Sequence, residues 1–192
     1  MKKIFLLSFL ISFLGVSLAF ANPPEYTELS PWPRFDINFS AGAARQTGYL
    51  TTESSVGTYI LGVNMEAGAG MMSFEWNGFS VDHDTGEFPL NNNKRVQVAT
   101  FSFIPQFKVL DRDAWNVFLG FGLSQVGLYQ YDPNYTTIYG SYIFSGVVRY
   151  RISNRWSAHF KSQWYGVRQT LAGQSTSFEV WNNVLGFGVN LF

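Results

Sequence analysis

The chain has 192 residues, balances 13 Lys+Arg against 13 Asp+Glu, contains no cysteine, and is 18% aromatic but only 14% charged. That length suits one domain or one closed barrel, and this composition excludes a disordered or fibrous chain. Without cysteine there is no disulfide scaffold, thiol catalysis or Cys-based zinc site, and without a basic excess no nucleic-acid partner.

Lys2 and Lys3 precede an apolar run over residues 4–14, broken by Ser8 and Ser12, and Ala19-Phe20-Ala21 supplies a small-x-small cleavage pattern. This reads as a cleaved signal peptide over residues 1–21, of bacterial type. Residues 22–33, with four prolines and Trp32, read as an irregular periplasmic lead-in. Nothing after Ala21 is long and apolar enough to cross a bilayer as a helix.

From residue 34 the dominant signal is period two. Phe35, Ile37, Phe39, Ala41 and Ala43 alternate with Asp36, Asn38, Ser40 and Gly42. Tyr59, Leu61, Val63, Met65 and Ala67 are set against Gly62, Asn64 and Glu66, and Met72, Phe74 and Trp76 against Ser73, Glu75 and Asn77. Phe79 and Val81 then fall out of phase, which marks Asn77-Gly78 as a candidate bulge. Phe101, Phe103 and Phe107 alternate with Ser102, Gln106 and Lys108, and Pro105 suggests a local break because it cannot donate to a ladder.

The second half is more regular. Trp115, Val117, Leu119, Phe121 and Leu123 face away from Asn116, Gly120, Gly122 and Ser124. Phe144, Val148, Tyr150 and Ile152 alternate with Ser145, Arg149 and Arg151, and Trp156, Ala158, Phe160 and Trp164 with Ser157, His159, Lys161, Gln163 and Tyr165. Leu185, Phe187, Val189 and Leu191 alternate with Gly186, Gly188 and Asn190. Short turn-like stretches at 68–70, 110–113 and 153–154 alternate with long polar ones at 45–55, 81–93, 129–137 and 170–177. Eight up-and-down strands with this short–long rhythm predict an all-β, eight-stranded antiparallel transmembrane barrel over residues 34–192.

A water-soluble barrel also alternates, with the apolar face inside. Here the apolar face carries no charge at mid-strand, as a lipid-facing band requires. Trp115, Trp156, Tyr150, Trp164, Trp181 and Tyr59 fall near strand ends, where interfacial girdles lie. Signal peptide, eight alternating segments and terminal Phe192 together resemble the small outer-membrane barrels of the outer-membrane protein A, X and W type. The resemblance implies a porin-like protein of a Gram-negative outer membrane. It also implies a monomer with membrane lipids and lipopolysaccharide as neighbours, and Phe192 as the signal read by the barrel-assembly machinery. The family places apolar residues at even distances back from the terminal aromatic. Here those positions are Asn190, Gly188 and Gly186, so the register of the last strand stays open.

The inward positions of such a barrel collect Asp36, Glu66 and Glu75 against Lys108, Arg149, Arg151 and Lys161, with His159 among them. Buried charges must pair, and eight strands enclose a space that side chains fill. The expectation is an ion-pair network plugging the lumen rather than a selectivity filter.

No catalytic, cofactor or metal constellation is visible. Asp82-His83-Asp84 offers metal-ligand chemistry, but three adjacent residues in a loop rarely converge on one ion. Lipid A deacylases, small outer-membrane barrels similar in size to this chain, carry a His-x-Ser pair on one strand face. Here Ser162 follows His159 at a spacing of three, on the opposite face, and Ser157 stands in reversed order near the turn. His159 is therefore expected to bond Glu66, Glu75 or a glutamine inside the lumen. The expected role is non-enzymatic, structural or surface-interacting. Uptake of a small apolar solute past Gly62, Gly120, Gly122, Phe118 and Ile143, and lipid A modification, are the alternatives.

Overall fold

The computed structural model describes residues 33–48, 55–83, 94–112, 114–130, 135–171 and 174–191. They form eight strands: β1 (Arg34–Gly48), β2 (Val56–Ala67), β3 (Gly70–His83), β4 (Lys94–Arg112), β5 (Trp115–Gln130), β6 (Tyr135–Arg151), β7 (Trp156–Leu171) and β8 (Gln174–Asn190). Each pairs antiparallel with its sequence neighbour, and β8 closes on β1. The fold is the expected eight-stranded up-and-down transmembrane barrel. The leader over 1–21, the lead-in to residue 32 and Phe192 lie outside the described residues.

Following paired residues around the wall leads from Ile37 through Val63, Phe74, Phe103, Leu123, Tyr142, Gly166 and Glu179 to Thr47. The path returns to β1 ten residues beyond its start. With strands about 4.8 Å apart and about 3.3 Å per residue, that stagger tilts the strands by about 40°. One end of the barrel carries the tight connections, among them Gly68-Ala69, where Gly68 has φ of 57°, and we call it the turn end; the other is the loop end.

The apolar face points outward. Phe39, Phe74, Leu119, Phe160, Leu185 and Phe187 are exposed, whereas Glu66 and Arg149 are buried inside. The same facing answers the register question for the last strand, since Leu185, Phe187 and Leu191 are exposed. Aromatic contacts bound this belt. Tyr59–Trp76 (ring centroids 5.1 Å), Phe144–Trp164 (5.5 Å) and Trp164–Trp181 (6.3 Å) lie toward the loop end, and Trp115–Tyr150 (4.8 Å) at the turn end. A cation in the middle of the belt is therefore expected to be costly. Leu119→Arg should lower unfolding free energy in lipid vesicles by about 2–4 kcal/mol, and Gln125→Arg, beyond the belt on the same strand, by about 0–1 kcal/mol. Equal effects at the two sites would contradict the facing.

Beyond the loop-end girdle the polarity inverts. Phe79, Val81, Val96, Val98, Val126, Leu128, Val167, Phe178 and Val180 point inward and form one buried cluster. Their outward neighbours Gln97, Gln125, Arg168 and Glu179 are exposed. This is the pattern of a water-soluble barrel stacked on a lipid-facing one. It corrects two expectations. Asn77-Gly78 is not a bulge: Ile60 pairs with Asn77 and Thr58 with Phe79 in unbroken register, and Phe79 and Val81 keep their phase while the interior changes character. The stretches expected as long loops are also partly strand, with β1 reaching Gly48, β3 reaching His83, β5 reaching Gln130, β6 starting at Tyr135 and β8 at Gln174.

Pro105 marks the expected local break: the pairing of β4 with β5 skips Ile104 and Pro105 without ending the strand. The proline faces Met72 of β3, and pairing with β5 resumes at Gln106–Gly120 in the same register as Phe103–Leu123. The register shift falls instead between Lys108 and Leu110.

Candidate functional site

The turn-end half of the interior is ionic. Arg149 on β6 reaches across the lumen to Glu66 (2.5 Å) and Asp36 (3.2 Å) and donates to Asn116 Oδ1 (3.1 Å). Lys108 contacts Glu66 at 2.9 Å and Asp111 at 3.1 Å, and Arg151 contacts Asp111 at 3.3 Å. One level further in, Lys161 contacts Glu75 at 2.5 Å, and Gln163 donates to the other oxygen of Glu75 at 2.6 Å. The Phe118 ring lies beneath two of the cations, 4.8 Å from the Arg149 guanidinium and 5.9 Å from Lys108 Nζ.

Four acids thus face four bases, each within reach of opposite charge. Asp111 is 45% exposed; burial of the other seven ions is tolerable only with such matching. All seven charged residues singled out from the sequence lie in this region; Asp111 joins them. Sequence periodicity missed Asp111 because the register shift after Lys108 reverses the facing of the residues that follow. A bulge leaves no reliable mark in a single sequence.

His159 departs from expectation. Its Nε2 lies 2.7 Å from Ser40 Oγ, over Gly186 of the intervening strand β8, rather than against Glu66, Glu75 or a glutamine. Gly186 makes this contact possible, since a Cβ there would fall 2.5 Å from Ser40 Oγ and 2.7 Å from His159 Nε2. Ser157 shares the buried face and Ser162 the outer one. The imidazole is buried on the inner wall and faces the lumen.

Between the ionic chamber and the apolar cap lies an uncharged polar layer. Thr58 donates to Asn77 (2.6 Å), Ser102 to Ser124 (2.8 Å) and Ser141 to the Gly166 carbonyl (2.6 Å). The lumen glycines are occupied by their neighbours. A Cβ at Gly62 would meet Asn38 at 2.8 Å, one at Gly120 would meet the Gln106 side chain at 2.6 Å, and one at Gly122 would meet the Phe103 carbonyl at 2.1 Å. Phe118 and Ile143 are fully packed. An interior cavity bounded by Asp36, Arg149, His159 and Lys161 measures about 10 Å³, room for about one water.

Among the described residues no three His, Asp or Glu side chains converge on a metal-sized space. The side chains of Asp82-His83-Asp84 lie outside the described residues.

No family model and no curated protein matches the sequence. Solved structures do match. Neisserial surface protein A superposes with a TM-score of 0.65 at 7% identity, covering 82% of this chain and 97% of that one. The outer membrane protein OprG of Pseudomonas aeruginosa gives 0.56 at 10% identity, covering 83% and 96%. A major outer membrane protein of Thermus thermophilus gives 0.52 at 12% identity, covering 83% and 99%. Identities this low carry the fold alone, and the fold this chain shares with them is that of the small eight-stranded outer-membrane β-barrels.

Proposed function

We propose that the chain is an integral, non-enzymatic protein of the bacterial outer membrane, closed along its axis, with a structural or surface-contact role. In this reading a leader over residues 1–21 is cleaved after export. The barrel-assembly machinery reads Phe192, and the product stands as a monomer among membrane lipids and lipopolysaccharide. The observation that carries it is the filled interior. An ion-paired chamber, a polar layer and an apolar cap succeed one another along the axis, around a cavity of about 10 Å³.

Two further observations support the reading against its alternatives. The glycines that would widen a passage for an apolar solute are filled by Asn38, Gln106 and backbone. The histidine a lipid A hydrolase would need faces the lumen rather than the outer surface. The test is a pair of measurements on the refolded chain. It should migrate faster on a semi-native gel before boiling than after, and planar bilayers holding it should show no conductance steps. An unchanged band with the protein in the soluble fraction would overturn the membrane assignment; steady open-channel steps would overturn the plug.

A further inference from the structure

Outside the barrel, a groove of about 420 Å³ climbs the wall of β3, β4, β5 and β6 from the loop-end girdle toward the loops. Its base is the Tyr59–Trp76 pair, and its upper edge is a paired row of Ser80, Gln97, Tyr129 and Thr136. Its floor holds the small residues Gly78 and Ala99, which pair, and Gly127 pairs with Ala99 beside it. The two glycines let tyrosines lean onto the wall. A Cβ at Gly78 would stand 2.7 Å from Tyr59 Oη, and one at Gly127 would stand 2.8 Å from Tyr129 Oη. Ser80 is four residues beyond Trp76, about 10 Å further along the axis at about 2.5 Å per tilted residue. The groove therefore starts at the girdle and ends in the zone where the outer wall is polar.

None of the ten residues lining the groove is charged. Arg95 is exposed on β4 two residues beyond Gln97, outside the lining, and the exposed charges Arg45, Arg168 and Glu179 sit on another wall, that of β7, β8 and β1. An uncharged groove offers nothing to a phosphate. Its amide and hydroxyls make it a poor bed for an acyl chain, which would leave them unpaired. Aromatic surfaces next to an amide and several hydroxyls match instead a ring that is apolar on its faces and hydroxylated at its rim.

We propose that this groove binds the neutral hexose segment of an outer-leaflet glycolipid, one sugar chain lying along β3–β5 between Trp76 and Tyr129. The proposal rests on the outer-membrane reading above, and the gel shift tests that reading separately. The experiment titrates the refolded mature chain, in phospholipid nanodiscs, with dephosphorylated core oligosaccharide released from lipopolysaccharide, followed by amide NMR. Lipid A stripped of core sugars is the comparison arm. Shifts should concentrate at Ser80, Gln97, Tyr129 and Thr136. Affinity should fall at least about tenfold in Gln97→Ala with Tyr129→Ala, and also in Ala99→Phe, which fills the floor while keeping both side chains. Normal heat-modifiability of each variant shows that the barrel itself is intact. Shifts confined to other walls, undiminished affinity in the filled variant, or a response to stripped lipid A alone would each overturn the assignment.

Discussion

Lys161→Met is expected to lower the unfolding free energy in lipid vesicles by about 3–5 kcal/mol, because it leaves the Glu75 carboxylate buried without its cation. Glu75 and Lys161 are each 2% exposed, and their charged atoms lie 2.5 Å apart. Gln163 remains as a partner at 2.6 Å, but one neutral amide does not replace a charge in a space shielded from water. Adding Glu75→Gln to Lys161→Met should recover most of the loss, since the double variant buries no net charge and Gln can still accept from Gln163. Urea unfolding of the two variants against the parent measures the coupling. A single-variant loss below about 1 kcal/mol would mean that water reaches Glu75 and that the chamber is wet rather than plugged.

Phe178→Ala should cost about 3–5 kcal/mol, the usual range for emptying a packed aromatic site. The residue is 1% exposed and sits in the loop-end cluster with Val167, its partner on β7, and Val180. Gln125→Ala, at an exposed outer position at the same end, should fall within about 0.5 kcal/mol of the parent. If 170–177 and its counterparts were true loops, Phe178 would stand at a frayed end and the two variants would behave alike. The same cluster should slow amide exchange at Phe79, Val98 and Val126 well past the aromatic girdle.

These two experiments probe opposite ends of one interior, and they differ in how much of each end could be read from the chain. The ionic chamber was legible as a membership list. Period two puts Asp36, Glu66, Glu75, Lys108, Arg149, Arg151, His159 and Lys161 opposite the apolar residues, and low charge elsewhere makes them conspicuous. Its wiring was not legible. Arg149 meets Glu66 and Asp36 across 83 and 113 residues of sequence, and a stagger of ten residues around the wall decides which of them share a level. His159 illustrates the difference: its face was read correctly, but its partner, Ser40, lies on β1, which closure brings beside β8 and one strand away from β7.

The apolar cap misled the reading for a related reason. Alternation reports a difference between two faces and not which medium each face meets. At Phe79 and Val81 the apolar residues move to the inner face, and in one dimension this looks the same as a slip in phase.

The sequence by itself determined the strand count, the closed up-and-down class and the outward belt, because backbone pleating repeats every two residues and one side of each segment is uniformly apolar. Tertiary structure decided how far the strands run past the belt, that Asp111 joins the ion-pair network, which ions pair, and that Gly78 and Ala99 line up in an outer groove. All four depend on register between strands distant in sequence, which only closure of the sheet sets.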